Sequence, residues 1–185
     1  MKFLRFFLII FISLISSVKA DFNKKLSYEL GEGGKLIFIR HAYAPGSGDP
    51  DNFNLNDCST QRNLNDEGRK QAKYIGQLFR NKKIKIGKVL SSEWCRCKET
   101  AEIAFKNFST NSFLNSFYSY KFKKNKKKQI NALNDYISKF KGNNNLVLIT
   151  HYVLISEVLN YGPSSGEIVV SDKNFNIIGT IETNF

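Results

Sequence analysis

Short, continuous apolar runs alternate in this chain with longer stretches in which apolar residues recur every three or four positions. "LIFIR" (residues 36–40), "KVLSS" (88–92) and "NLVLIT" (145–150) are runs of the first kind, the pattern of strands covered on both faces. Gly68, Ala72, Ile75 and Phe79 fall on one side of a helix predicted from Asp66 to about Arg80, with Asn65 as its cap. Further helices are expected over 93–105, over a stretch that aligns Ile130, Leu133, Ile137 and Phe140, and from His151 to about Asn160. "GEIVVS" (166–171) and "FNIIGTIET" (175–183) read as an antiparallel pair closing around "DKN". Strands alternating with helices predict one α/β domain, its mainly parallel sheet flanked by helices on both faces. Residues 21–34 read as an irregular lead-in, a breaker-rich loop runs from "PGSGDPDN" to about Leu64, and 106–124 carries no clear pattern.

The first twenty residues stand outside this pattern. "MKFLRFFLIIFISLISSVKA" opens with Lys2 and Arg5, continues in an apolar run from Phe6 to about Ile15, and closes on Val18-Lys19-Ala20. That is the plan of a secretory signal peptide cleaved after Ala20. The run is shorter than the roughly 20 residues that cross a bilayer, so no stable membrane insertion is expected after cleavage. The domain is then expected to span 21–185, exported, and periplasmic in a Gram-negative cell. Cleavage would remove three lysines and arginines and no acid, taking the formal charge from +12 to +9.

A basic balance suits a phosphorylated ligand, anionic lipid or nucleic acid. Export argues against nucleic acid, and "KFKKNKKK" (Lys121 to Lys128) has little aromatic interleaving, so it reads as compositional bias. The three cysteines are Cys58, Cys95 and Cys97. Export permits a disulfide. Cys95 and Cys97 point to different sides of their helix, which leaves one of them to meet Cys58. No CxxC or HxxxH spacing marks a zinc site.

Candidate chemistry collects at the strand ends. The first strand ends on Arg40-His41, the second on Ser91-Ser92 with Arg96 four residues later, and the third on Thr150-His151. Ligands of parallel α/β sheets bind beyond the carboxyl ends of the strands, so two arginines and both histidines of the chain meet at one edge. Guanidinium groups fork onto phosphate oxygens, and a helix start favours an anion at Arg96. A neutral imidazole attacks phosphorus once a hydrogen bond on its other nitrogen fixes the tautomer.

"LIFIRHA", "LNDEGRKQA", "SSEWCRCKETA" and "LVLITH" resemble, in order and spacing, the blocks of the histidine phosphatase superfamily with its phosphoglycerate-mutase-like fold. The resemblance covers residues 35 to 160. Leu64, Gly68, Gln71 and Ala72 match its second block, and Ser92, Arg96, Thr100 and Ala101 its third. It implies that His41 is a nucleophile forming a phosphohistidine, that Arg40, Arg96 and His151 make the phosphate pocket, and that no metal or cofactor takes part. Arg62 is expected at the rim, or else paired with the acidic loop between Asp49 and Asp57. Cys97 stands where the family block has a small core-facing alanine, which implies Cys58–Cys95 as the disulfide.

The chain departs from the family at Ala42, where glycine is usual, at Tyr152, where one branch has aspartate, and in having no acid between Glu102 and Asp135. The leaving-group acid is then expected from elsewhere, unless the substrate is a phosphoramidate or acyl phosphate, whose good leaving group needs none. Glu167 is the candidate, with Asp49 and Asp57 in reserve. A chain this short leaves little room for lids, so the expected substrate is a phosphorylated small molecule or an envelope-linked phosphate. Two alternatives are a non-catalytic phosphate- or polyanion-binding protein on the same fold, and a basic module docking its lysine run on anionic lipid. Oligomeric state is not written in these features.

Overall fold

A computed structural model describes residues 24–183. The signal-peptide expectation for residues 1–20 lies outside the described residues. Strands β1 (Leu36–Arg40), β2 (Ile86–Ser91), β3 (Ser109–Thr110), β4 (Asn145–Thr150), β5 (Ile168–Ser171) and β6 (Ile177–Ile181) form one sheet in the order β3-β2-β4-β1-β5-β6. The first four are mutually parallel, and β5 runs antiparallel to both β1 and β6. This is the expected α/β architecture with its closing antiparallel pair.

The continuous apolar runs are explained by what covers them. Alternate residues of the central strands project to opposite faces. Ile37, Ile39, Val147 and Ile149 pack on one side with Ile75 and Phe79 of α2 (Asp66–Asn81) and Ala101 and Ala104 of α3 (Cys95–Phe105). Leu36, Phe38, Leu146 and Leu148 pack on the other with Leu133 and Ile137 of α5 (Lys126–Lys139) and Leu154 and Ile155 of α6 (Tyr152–Leu159). A strand buried on both faces cannot alternate apolar and polar residues.

Three local expectations need correction. The lead-in is not irregular: residues 24–32 are helical (α1), because Leu26 and Leu30, four apart, bury their side chains in the first core face. The patternless stretch 106–124 contains the two-residue β3, a 3-10 turn over Ser112–Leu114 and the short helix α4 (Tyr120–Lys123). Elements this short have no period to read; β3 is held by backbone pairing to β2. Finally, β6 starts at Ile177, since Phe175 takes φ +64° in the turn before it.

Candidate active site

Strand register sets the first relationship. Arg40 pairs with Thr150 across β1 and β4, so His41 and His151 leave the sheet side by side, their ring centroids 5.5 Å apart. The His41 N–H donates to the Thr150 carbonyl at 2.9 Å, which fixes the backbone just past the strand.

The two family-like blocks hold the turn that follows. The Ala42 N–H donates to Thr100 Oγ1 (3.0 Å), and Thr100 donates in turn to the Arg96 carbonyl one helical turn back. The Tyr43 N–H donates to Gln71 Oε1 at 2.8 Å. Gly68 has no room for a side chain, because a Cβ there would overlap the Tyr43 carbonyl. Gln71 and Thr100 are buried, so they serve the backbone rather than solvent.

His41 and His151 are both fixed as neutral rings. The 2.8 Å contact of His41 Nδ1 with the Ala42 carbonyl needs a proton on Nδ1. Nε2 therefore carries a lone pair, and it accepts from the Nε–H of Arg96 at 3.1 Å. At His151, Nε2 lies 2.9 Å from Ser92 Oγ. Ser92 donates to Asn115 Oδ1, and the Asn115 amide is oriented by donating to Glu93. Ser92 must then accept from His151 Nε2–H, leaving the Nδ1 lone pair 3.4 Å from Arg96 Nη2. Burial, and after it the charge of Arg96, hold both imidazoles well below the usual histidine range. The roles of Asn115 and Glu93 had no sequence signal, since they lie in the 3-10 region and the turn before α3.

A cavity of about 190 Å³ opens over these rings, lined by Arg40, His41, Asp49, Arg62, Arg96 and His151 among others. Arg40 donates from Nη1 to the Pro163 carbonyl (2.9 Å) and lies over the Tyr152 ring. Its Nε is a buried donor with no partner among the described residues. Arg62 donates to the carbonyls of Ala44 and Gly48, and its own N–H donates to Asp49 Oδ1, so it shapes the loop as well as the rim.

Asp49, a reserve candidate in the sequence, is the carboxylate that reaches the cavity, and its grip on Arg96 had no sequence signal. It accepts from Arg96 Nη1 (2.7 Å) and Nη2 (3.2 Å), and from Trp94 Nε1 (3.1 Å). Burial pushes this carboxyl up, but the bonds and charge of Arg96 outweigh it and hold the group below the ordinary range.

Glu167 is not brought to the cavity. Its carboxylate accepts from Tyr161 Oη (2.6 Å) and the Ser164 N–H (2.7 Å), fastening the loop before β5, and it does not line the pocket. The sequence placed it by proximity along the chain; the turn at 163–166 points it inward. Asp57 caps the 3-10 turn Cys58–Thr60 through Ser59 and is also away from the cavity.

Cys58 and Cys95 form a disulfide with Cα atoms 5.7 Å apart. Beside it, Gln61 Oε1 accepts the first free N–H of α3, from Cys95, at 2.9 Å. The first loop is thus fastened to the helix start that presents Arg96. Cys97 is the buried free thiol, and burial pushes it up to about 12, so it is inert as a nucleophile. Among the described residues no group of acidic, histidine or cysteine side chains could hold a metal ion.

Comparisons with known proteins agree with this geometry. Residues 36–115 match the family model described as histidine phosphatase superfamily (branch 1), a stretch that takes in Arg40, His41 and Arg96. Over 83 residues the chain is 36% identical to the mitochondrial serine/threonine-protein phosphatase Pgam5 of Drosophila virilis, covering 44% of this chain and 26% of that relative. The match therefore spans about a quarter of that protein's length. The structure of the protein histidine phosphatase SixA complexed with tungstate superposes with a TM-score of 0.55 at 16% identity, covering 80% of this chain and 97% of that one. Phosphoglycerate mutase from Thermus thermophilus gives 0.55 at 16% identity, covering 80% and 98%. At these identities the likeness is one of fold. The family model thus matches the N-terminal part of the described chain, and the solved structures share its phosphoglycerate-mutase-like fold.

Proposed function

We propose that the chain is a metal-independent phosphatase that hydrolyses a phosphomonoester or phosphoramidate through a phosphohistidine on His41. The observation that carries this reading is the His41 ring, which lines the cavity: Nδ1 is pinned to the Ala42 carbonyl, and the Nε2 lone pair accepts from the Arg96 Nε–H, a bond that gives way when Nε2 attacks. A neutral, oriented imidazole is what attack on phosphorus requires. Arg40, Arg62 and Arg96 supply fixed positive charge for the transferring phosphoryl group. The Arg40 guanidinium is held at the cavity wall by its Nη1 bond to the Pro163 carbonyl. His151 presents an unprotonated Nδ1, so it donates to a phosphoryl oxygen only after taking a proton, which a bound phosphate dianion favours.

The substrate class is a phosphorylated small molecule or an envelope-linked phosphate. The leader-like pattern of residues 1–20 and the Cys58–Cys95 bridge support an exported, oxidising location. One observation favours the second reading, phosphate binding without turnover: the carboxylate that lines the cavity, Asp49, is tied to Arg96. Hydrolysis of p-nitrophenyl phosphate in EDTA separates the two. Release of nitrophenol by the wild type and its loss in His41→Ala support the phosphatase, and tight phosphate binding with no release supports the binding protein.

A further inference from the structure

The phosphate seat has an internal occupant. Arg96 is the buried cation between the two histidines, and both of its outer nitrogens are forked onto one carboxylate, that of Asp49. A bidentate guanidinium–carboxylate pair has the planar geometry that Arg uses for phosphate, so a phosphoryl group and Asp49 compete for the same donors. Asp49 has two further donors, the Trp94 indole and the Arg62 backbone N–H. When phosphate takes Arg96, those two keep the carboxylate at the edge of the seat, and no large loop movement is needed. The carboxylate has then lost its nearest counter-charge and faces a phosphate dianion, conditions under which a carboxyl gains a proton.

The other carboxylates near the site are committed elsewhere. Glu167 serves Tyr161 and Ser164, Glu93 accepts from Asn115, and Asp57 caps its turn. Building on the phosphatase reading, we propose that Asp49 holds the seat before substrate binds and, once the phosphoryl group takes Arg96, is the acid that protonates the leaving group.

The proton balance closes over the two steps. Asp49 takes a proton from solvent as phosphate binds. His41 Nε2 then forms its bond to phosphorus, the bond from phosphorus to the leaving oxygen breaks, and that oxygen takes the Asp49 proton. In the second step water attacks the phosphohistidine, its proton passes to the Asp49 carboxylate, the N–P bond breaks, inorganic phosphate leaves, and Asp49 returns that proton to solvent as it takes Arg96 again.

The test compares Asp49→Asn with wild type in two ways. Titration with inorganic phosphate is expected to show about tenfold tighter binding by the variant, since the seat no longer spends its time filled from within. Turnover of a series of phosphate esters is expected to fall about 10²–10³-fold for alkyl esters, with the loss shrinking steadily toward p-nitrophenyl phosphate as the leaving group becomes less basic. Asp49→Ser provides the same comparison if the asparagine disturbs the loop. Weaker phosphate binding, or an equal loss across all esters, would show that Asp49 only orients Arg96 and would overturn the proposal. Wild-type protein that turns over no ester would remove the phosphatase reading itself, whereas His41-dependent turnover with a uniform Asp49→Asn loss would remove only the role given to Asp49.

Discussion

The Nε–H of Arg96 points at Nε2 of His41 across 3.1 Å, while the two outer nitrogens of the same guanidinium hold a carboxylate. One side chain therefore orients His41 and grips a carboxylate at the same time. This follows from its place in the first turn of α3, a buried helix start aimed at the ends of β1 and β4.

Replacing Arg96 by lysine keeps the charge but removes both the fork and the inward Nε–H. Turnover of p-nitrophenyl phosphate by Arg96→Lys is expected to fall about 10²–10³-fold. Steady-state kinetics check this, and a loss of less than about tenfold would mean that charge alone suffices.

Gly68→Ala tests the scaffold rather than the chemistry. The added methyl must displace the Tyr43 carbonyl, which belongs to the turn after His41 and is backbone rather than a flexible side chain. We expect destabilisation of about 3 kcal/mol or more, read as a lower urea midpoint at unchanged slope.

Most of the architecture was legible because the central strands are buried on both faces, which forces continuous apolar runs, and because α2 carries a clear helical period. The strand-end rule then brought Arg40, His41, Arg96 and His151 to one edge, where the structure also places them. What escaped the sequence is of two kinds. Residues 24–32 and 109–123 form elements too short, or anchored by too few apolar residues, to show a period. The hold of Asp49 on Arg96, and the chain from Glu93 through Asn115 to Ser92, join segments far apart in sequence, which no local pattern encodes. Glu167 shows the converse error: a carboxyl near the site in sequence turns its oxygens to Tyr161 and Ser164.

Stability should depend on pH through the two buried histidines. Burial, followed by Arg96, depresses both folded-state values below the ordinary 6.5. The unfolded chain therefore binds more protons between the folded and unfolded values, and stability rises with pH across that window. It is fully present above about pH 6.5 and is lost progressively as the pH falls toward the folded values. Urea unfolding at a series of pH values checks this, with His151→Gln losing less stability on acidification than wild type. An equal acid loss in the two proteins would contradict it.

The Cys58–Cys95 bridge closes a separation of 37 residues. Its reduction, or Cys58→Ser, is expected to cost about 2–4 kcal/mol and lower the melting temperature on the order of 10 °C. Because the bridge fastens the first loop to the helix start that presents Arg96, phosphate affinity should fall as well. An unchanged melting curve, with all three thiols titratable in the unreduced protein, would contradict the bridge.

The central claim is that His41 becomes phosphorylated, and it is tested most directly by trapping that state. Protein mixed with radiolabelled phosphoramidate in EDTA, quenched in alkali and digested, should carry acid-labile, alkali-stable label on the peptide containing His41, and none in His41→Ala. Turnover of phosphoramidate with no label on His41, or label persisting in His41→Ala, would contradict the account.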